Sequence, residues 1–326
     1  MFKKIFMVFV VCLMSLVFLS ACGQKMTDGV YRAFKETVSS RGAPEVTTVS
    51  VTVKDGKIVG YEIDSIQSHT DAEAKTGYVF NEKSKKELGF LYGMHFRTSG
   101  IEGDLTDEAV MNQYKAWLEE NDKLEWFEQA ELIEKYWLEN GVKDPGTEGK
   151  FDYITGVTIS DNDYVTVAKQ AVTFAKEGKT QVITVNGSDL IWVTAKVDKN
   201  GKFTELVVDT RQGTKDNEGK FVWNEKTKQE LGYLYGMHFR TSEIEGDLTD
   251  SAVMDQYKAW LEENDKLEWF EQVNVFAEYV LKNGLTGFEI DQKIVKDDNT
   301  PEVLTAVTVT AVHYYNVFTQ LYKDFK

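Results

Sequence analysis

From about residue 49 the chain alternates apolar and polar positions. Val49, Val51 and Val53 are separated by Thr and Lys, the Lys54-Asp55-Gly56-Lys57 stretch breaks the run, and residues 58–66 resume it, which predicts a β-hairpin. Residues 192–197 and 203–208 repeat the pattern around an Asn200-Gly201 turn. Between the hairpins the period lengthens. Val110, Tyr114, Trp117 and Leu118 fall on one face of a helix, with Thr106 as its expected cap and Asp107 and Glu108 in its first turn. After an interruption at Asn121-Asp122, Trp126, Ala130, Ile133 and Trp137 make a second stripe, expected to end in a left-handed turn at Asn140-Gly141. The same plan runs from Thr249 to Asn283-Gly284, and the tryptophans on these stripes read as core packing before they read as stacking on a cofactor.

The recurrence is literal. Residues 81–129 reappear as 224–272, offset by 143, with six differences, among them Lys86/Gln229 and Phe90/Tyr233. Hairpins before and helices after complete each copy. The fold class expected is α+β: two tandem units, residues 22–177 and 178–326, each a twisted antiparallel sheet with packed helices.

Residues 1–21 read as an export signal, with Lys3 and Lys4 ahead of an apolar core and Leu19-Ser20-Ala21-Cys22 at its end. That ending resembles a bacterial lipobox, in which Cys22 carries lipid; a plain transmembrane anchor is the alternative, and the polar residues after Cys22 lack a stop-transfer pattern. Of the two cysteines, Cys12 lies in the signal and Cys22 is the acylation candidate, so the folded part has no thiol for a disulfide, a metal or nucleophilic catalysis. The chain carries a formal charge of −16, more negative still without Lys3 and Lys4, which argues against nucleic acid as a partner.

Reactive constellations are few. His69, His95, His238 and His313 are scattered, with His95 and His238 one position repeated, and they read as packing or hydrogen-bonding residues. Asp161-Asn162-Asp163 and Asp297-Asp298-Asn299 lack the glycine and glutamate of a calcium loop and read as turns or caps. No nucleophile with its base is evident, which leaves a hydrolase without support. What recurs is a short element near each end: residues 152–160 lead to a helix expected over about 161–176, and residues 302–310 to one over 311–325. Thr158 and Thr308 close these turns, where a helix N-terminus favours a phosphate; Gly156 or Ala306 allows close approach, and Thr155 or Thr305 can donate a further hydrogen bond. The plainer reading is a β-branched strand running into a capped helix.

At these residues the sequence resembles the FMN-binding domain family, in which a flavin transferase joins the FMN phosphate to the last threonine of an acidic-to-Ser/Thr-Gly-Ala-Thr pattern. By position that threonine is Thr158 and Thr308, with Asp152 and Glu302 as the acidic residues. Asp28-Gly29-Val30-Tyr31 and the Asp55-Gly56-Lys57-Ile58 turn also match, whereas Val157 and Val307 replace the alanine and Ala306 the glycine. A lipobox followed by two such modules is similar to the pheromone-encoding flavin lipoproteins of Gram-positive extracellular electron transfer. The resemblance implies up to two covalent FMN groups and a lipid anchor on the outer membrane face. It also implies electrons received from a membrane quinone-linked dehydrogenase and given to extracellular acceptors such as ferric iron, with a pheromone peptide trimmed from the signal. Aromatic residues and Arg97 or Arg240 are candidates to tune the flavins. The alternative function is a non-redox lipoprotein that binds a wall polymer, a peptide or a partner protein through two similar sites.

Overall fold

A computed structural model describes residues 25–296 and 300–326; the signal segment, Cys22 and the Asp297-Asp298-Asn299 turn lie outside the described residues. The architecture is α+β, with curled antiparallel sheets and helices packed on them. Strands β1 (Gly29–Val38), β2 (Pro44–Lys54), β3 (Lys57–Thr70) and β4 (Tyr78–Phe80) form one sheet in sequence order. The register sets Tyr31 opposite Val51 and Val49 opposite Ile63, so the alternating residues share one buried face. After two short helices, α1 (Lys85–Leu88) and α2 (Phe96–Ser99), come the long pair α3 (Glu108–Glu120) and α4 (Trp126–Asn140), then α5 (Tyr164–Glu177).

The second half follows the same order. Strands β5 (Lys179–Asn186), β6 (Asp189–Val197) and β7 (Phe203–Arg211) make a three-stranded sheet, and β8 (Gly213–Lys215) with β9 (Phe221–Trp223) a two-stranded one. Helices α6 (Lys228–Leu231), α7 (Ser251–Glu263) and α8 (Trp269–Asn283) lie 143 residues beyond α1, α3 and α4. A small ladder, β10 (Glu289–Asp291) with β11 (Lys293–Val295), precedes α9 (Val312–Asp324).

Of the helical stripes, Tyr114, Leu118, Trp126, Ala130, Ile133 and Trp137 are buried, whereas Val110 and Trp117 on the first stripe are only half-buried. The caps are shifted by one residue. Asp107, not Thr106, accepts from Ala109 N and Val110 N, because the Thr106 hydroxyl is already bonded to Asp104; Asp250 and Thr249 repeat the arrangement. Nor do α4 and α8 end in a left-handed turn. Gly141 has φ 78° with ψ 165° and Gly284 φ 70° with ψ −158°, so the chain leaves each helix extended. Helix α5 starts at Tyr164, about three residues later than expected, because Asp163 takes a left-handed conformation.

Both halves share one apolar core. Tyr31, Ile63, Trp137 and Ala168 belong to the same cluster as Val193, Val208, Phe276 and Phe318. Where residue 177 meets 178, Gly178 caps α5 at φ 66°, and a Cβ there would lie 2.6 Å from the Val197 carbonyl, so glycine is required at this join. Polar contacts bind the halves as well. Phe80 N donates to Gly187 O at 2.8 Å, Trp223 Nε1 to Thr37 O at 3.2 Å, and Arg32 pairs with Asp324 at 2.7 Å.

One difference between the copies is compensated in three dimensions. Lys86 pairs with the half-buried Glu134 at 2.7 Å; Gln229, its counterpart, donates instead to Asn274 Oδ1 at 2.9 Å and Val208 O at 2.8 Å. Burial beside these groups raises the Asp64, Glu134 and Asp209 carboxyls above their ordinary range. A carboxyl raised in the folded state binds its proton more tightly there, so the stability it contributes is full below the unfolded pKa and lost as pH rises through the folded one. The chain's −16 charge adds self-repulsion of the same sign. The lowered, exposed carboxyls Asp28, Asp104, Asp198 and Asp247 act only below their ordinary pKa of 3.8. The His313 imidazole, lowered by burial, opposes this as pH falls through its ordinary 6.5, but one histidine stands against three carboxyls, so the melting temperature is expected to rise as pH falls from neutral to about 5 at fixed ionic strength; a scanning-calorimetry series in which it falls would contradict the assignment.

Candidate functional site

The two threonine turns are built alike. In the first, Ile154 N donates to Phe151 O and Val157 N to Ile154 O; in the second, Leu304 N donates to Pro301 O and Val307 N to Leu304 O. Ile154, Leu304 and Val307 are buried and anchor the turns, while Thr155, Gly156, Thr158, Thr305, Ala306 and Thr308 face solvent. Inward-facing Val157 and Val307 thus leave the next side chain, Thr158 or Thr308, pointing out. Gly156 has φ 87°, and a Cβ on it would come within 3.3 Å of the Leu132 and Leu124 methyls. Ala306 sits in a 3-10 turn, Glu302–Ala306, with no left-handed residue, so the second copy reaches its threonine through a different local backbone that needs no glycine.

A residue that sequence reasoning did not single out holds each threonine. Gln129, 1 % exposed, points its Oε1 at the first turn, where it accepts from Thr158 N at 2.7 Å, Ile159 N at 3.0 Å and the Thr158 hydroxyl at 3.2 Å. Gln272 does the same for Thr308 N at 2.7 Å, Val309 N at 3.1 Å and the Thr308 hydroxyl at 3.1 Å. Each glutamine Nε2 donates in turn to a carbonyl just before its helix, Leu124 O or Leu267 O. The sequence signal was a neutral polar residue three places after Trp126 and Trp269, on the apolar stripe of α4 and α8.

Those helix starts are fixed by a buried carboxylate. Glu268, fully buried, accepts from Met237 N at 2.9 Å, Trp269 N at 2.9 Å and the Tyr257 hydroxyl at 2.5 Å; Glu125 accepts from Met94 N, Trp126 N and Tyr114. His95 Nε2 donates to Leu124 O at 3.1 Å and His238 Nε2 to Leu267 O at 3.2 Å, so both repeated histidines brace the same loop as hydrogen-bonding residues. Trp126 and Trp269 donate from Nε1 to Tyr164 and Tyr314, tying each long helix to the helix after its threonine turn.

The remaining predicted residues are placed less centrally. Asp152 is exposed with its carboxylate against Gly146, and Glu302 is exposed and accepts the Thr305 hydroxyl on its carbonyl at 2.6 Å. Arg97 and Arg240 are exposed on the short turns after His95 and His238. The helix N-termini expected to favour a phosphate are partly occupied by the chain itself. Asp161 Oδ1 accepts from Val165 N at 3.1 Å at the start of α5, and Gln292 O takes Ala311 N and Val312 N at the start of α9, so these amides are already used. The field around the first turn is also acidic: burial, reinforced by Tyr136, Asp161, Asp144 and Asp152, pushes the Tyr153 phenol up to about 12. Beside the second turn stands a cation, Lys296, whose Nζ donates to Thr305 O.

No protein-family model matches this chain, and no curated protein matches it. Among solved structures, a structural-genomics solution NMR structure from Clostridium thermocellum is similar at 25% identity over 46% of this chain and 92% of that one, with a TM-score of 0.26, an overlap too slight to bear on the fold or the site.

Proposed function

We propose that this chain is a lipid-anchored surface flavoprotein, acylated at Cys22, that carries FMN joined through its phosphate to Thr158 and Thr308. In this reading it relays electrons from a membrane quinone-linked dehydrogenase to extracellular acceptors such as ferric iron. The observation that carries the reading is the duplicated clasp: in both copies a solvent-facing threonine hydroxyl is held at 3.1–3.2 Å by a buried glutamine on an otherwise apolar helix face. The same glutamines also satisfy two backbone N–H groups of each turn, so what supports the reading is that the clasp leaves the hydroxyl oxygen open to solvent in both copies.

The residues fit an ester at this position. The hydroxyl is reachable by a transferase, and its proton points at Gln129 or Gln272, which turns the oxygen's lone pairs outward. Net attachment replaces the O–H by an O–P bond with loss of one water. The hydroxyl's bond to glutamine ends when its proton is gone, but the two backbone N–H bonds to the same Oε1 persist, so the turn keeps its shape. The bound group would supply reversible electron transfer. The chain's contribution is attachment, which keeps the cofactor on the cell surface, where a free one diffuses away.

Protein made together with a flavin transferase is expected to be yellow and to keep its colour on the polypeptide after denaturation and gel filtration. Colour that elutes separately from the unfolded chain would contradict covalent attachment. A colourless, unmodified product would favour the binding-module alternative.

A further inference from the structure

The tips of the two β-hairpins come together at one end of the molecule, and residues 25–28 run between them. Thr27 donates from its hydroxyl to Asp198 O at 3.2 Å, Asp28 accepts from Asp55 N and Gly56 N at 2.9 Å each, and the Lys25 side chain lies across Gly56. The end of α9 closes the third side of an open cleft of 830 Å³. Its lining holds Lys25, Lys54, Lys199, Lys323 and Lys326 against two carboxylates, Asp28 and Asp324, and Asp324 is neutralised by Arg32. All five lysines are exposed. This is a cationic face on a chain whose formal charge is −16.

We infer that this lysine-lined cleft is the surface that meets the membrane, and that its ligand is the anionic headgroup layer of the bilayer. The inference rests on the lipid attachment proposed for Cys22. Three peptide links separate that residue from Lys25 and span at most about 10–11 Å. Acyl chains buried in the bilayer therefore hold the cleft about one Debye length, roughly 8 Å, from the headgroups. At that range the local lysines outweigh the acid charge on the far side, which is screened. Lys25, where the described residues start, lies in the cleft itself, so this lysine-lined face is the one tethered next to the bilayer. The threonine turns are built from other segments, and none of their residues lines the cleft.

The test uses the acylated chain in vesicles of phosphatidylcholine alone or mixed with phosphatidylglycerol, with amine acetylation read lysine by lysine by mass spectrometry. Lys54, Lys199 and Lys323 are expected to react about fivefold more slowly on the anionic vesicles, the effect expected for a lysine at a charged surface. Lys150 and Lys220, exposed outside the cleft, should be unchanged, and molar salt should abolish the difference. Equal rates on both vesicles overturn the inference, as does protection of the same lysines by inorganic phosphate without vesicles. Retention on neutral vesicles reports the anchor separately. A chain that washes off them yet shows protected lysines on anionic ones keeps the surface and loses the lipoprotein reading; one that stays without protection does the reverse.

Discussion

Replacing Glu268 by alanine is expected to lower the unfolding free energy by about 3–5 kcal/mol. The carboxylate is fully buried and serves Met237 N, Trp269 N and the Tyr257 hydroxyl, so its removal strands two buried donors and the part-buried Met237 N. The capping box with Glu271 is lost with it. Because Gln272 is one turn further along α8, the same change should loosen the clasp on Thr308 while leaving Thr158 untouched. Denaturant titration of Glu268→Ala beside Glu268→Gln checks this: the amide retains shape and one acceptor and should lose roughly half as much. A Glu268→Ala protein within about 1 kcal/mol of the parent would show that the network is ornamental.

The second large effect is expected at the join of the halves. Arg32 on β1 holds Asp324 at the end of α9 through two bonds, Nε to Oδ2 at 2.7 Å and Nη2 to Oδ1 at 3.0 Å, and the Asp324 side chain is 4 % exposed. Bidentate geometry and burial set this pair apart from the surface pairs, such as Lys150 with Glu148, for which no measurable contribution is expected. Arg32→Ala leaves a buried carboxylate with Gln320 as its one side-chain donor among the described residues, at a loss of about 2–4 kcal/mol, the lower end reflecting the partly exposed arginine. Adding Asp324→Asn to that variant should recover part of the loss, because the uncompensated charge goes with it. A double-mutant cycle with no coupling would contradict the role given to this pair.

How far the sequence revealed the fold depended on the range of the interactions involved. Stripes such as Trp126, Ala130, Ile133 and Trp137 were legible because burial and helical period are both local. Cap positions were off by one because Thr106, the better-looking cap, is diverted to Asp104, a competition between neighbours that composition does not rank. The late start of α5 comes from a left-handed Asp163, equally invisible in a pattern of apolar residues. The shared core was missed for a different reason: β1 and β5 meet across some 150 residues, as in the bond from Arg32 N to the Thr180 hydroxyl, and alternation does not say which sheet faces which.

Of the site, the threonine turns could be read because they recur and because Val157 and Val307 alternate with them. Their support could not. Gln129 and Thr158 are 29 residues apart, and a glutamine inside an apolar stripe states that some partner exists without saying which. Nor does the turn-to-helix spacing tell that Asp161 and Gln292 take some of the free amides at the helix starts.

Covalent attachment at the two threonines is read from the intact mass of the wild type, Thr158→Ala, Thr308→Ala and the double variant, each produced with a flavin transferase. Two adducts of one FMN minus one water are expected on the wild type, one on each single variant and none on the double. Adducts that survive in the double variant, or a wild type that stays bare beside a transferase shown to be active on another substrate, would contradict it.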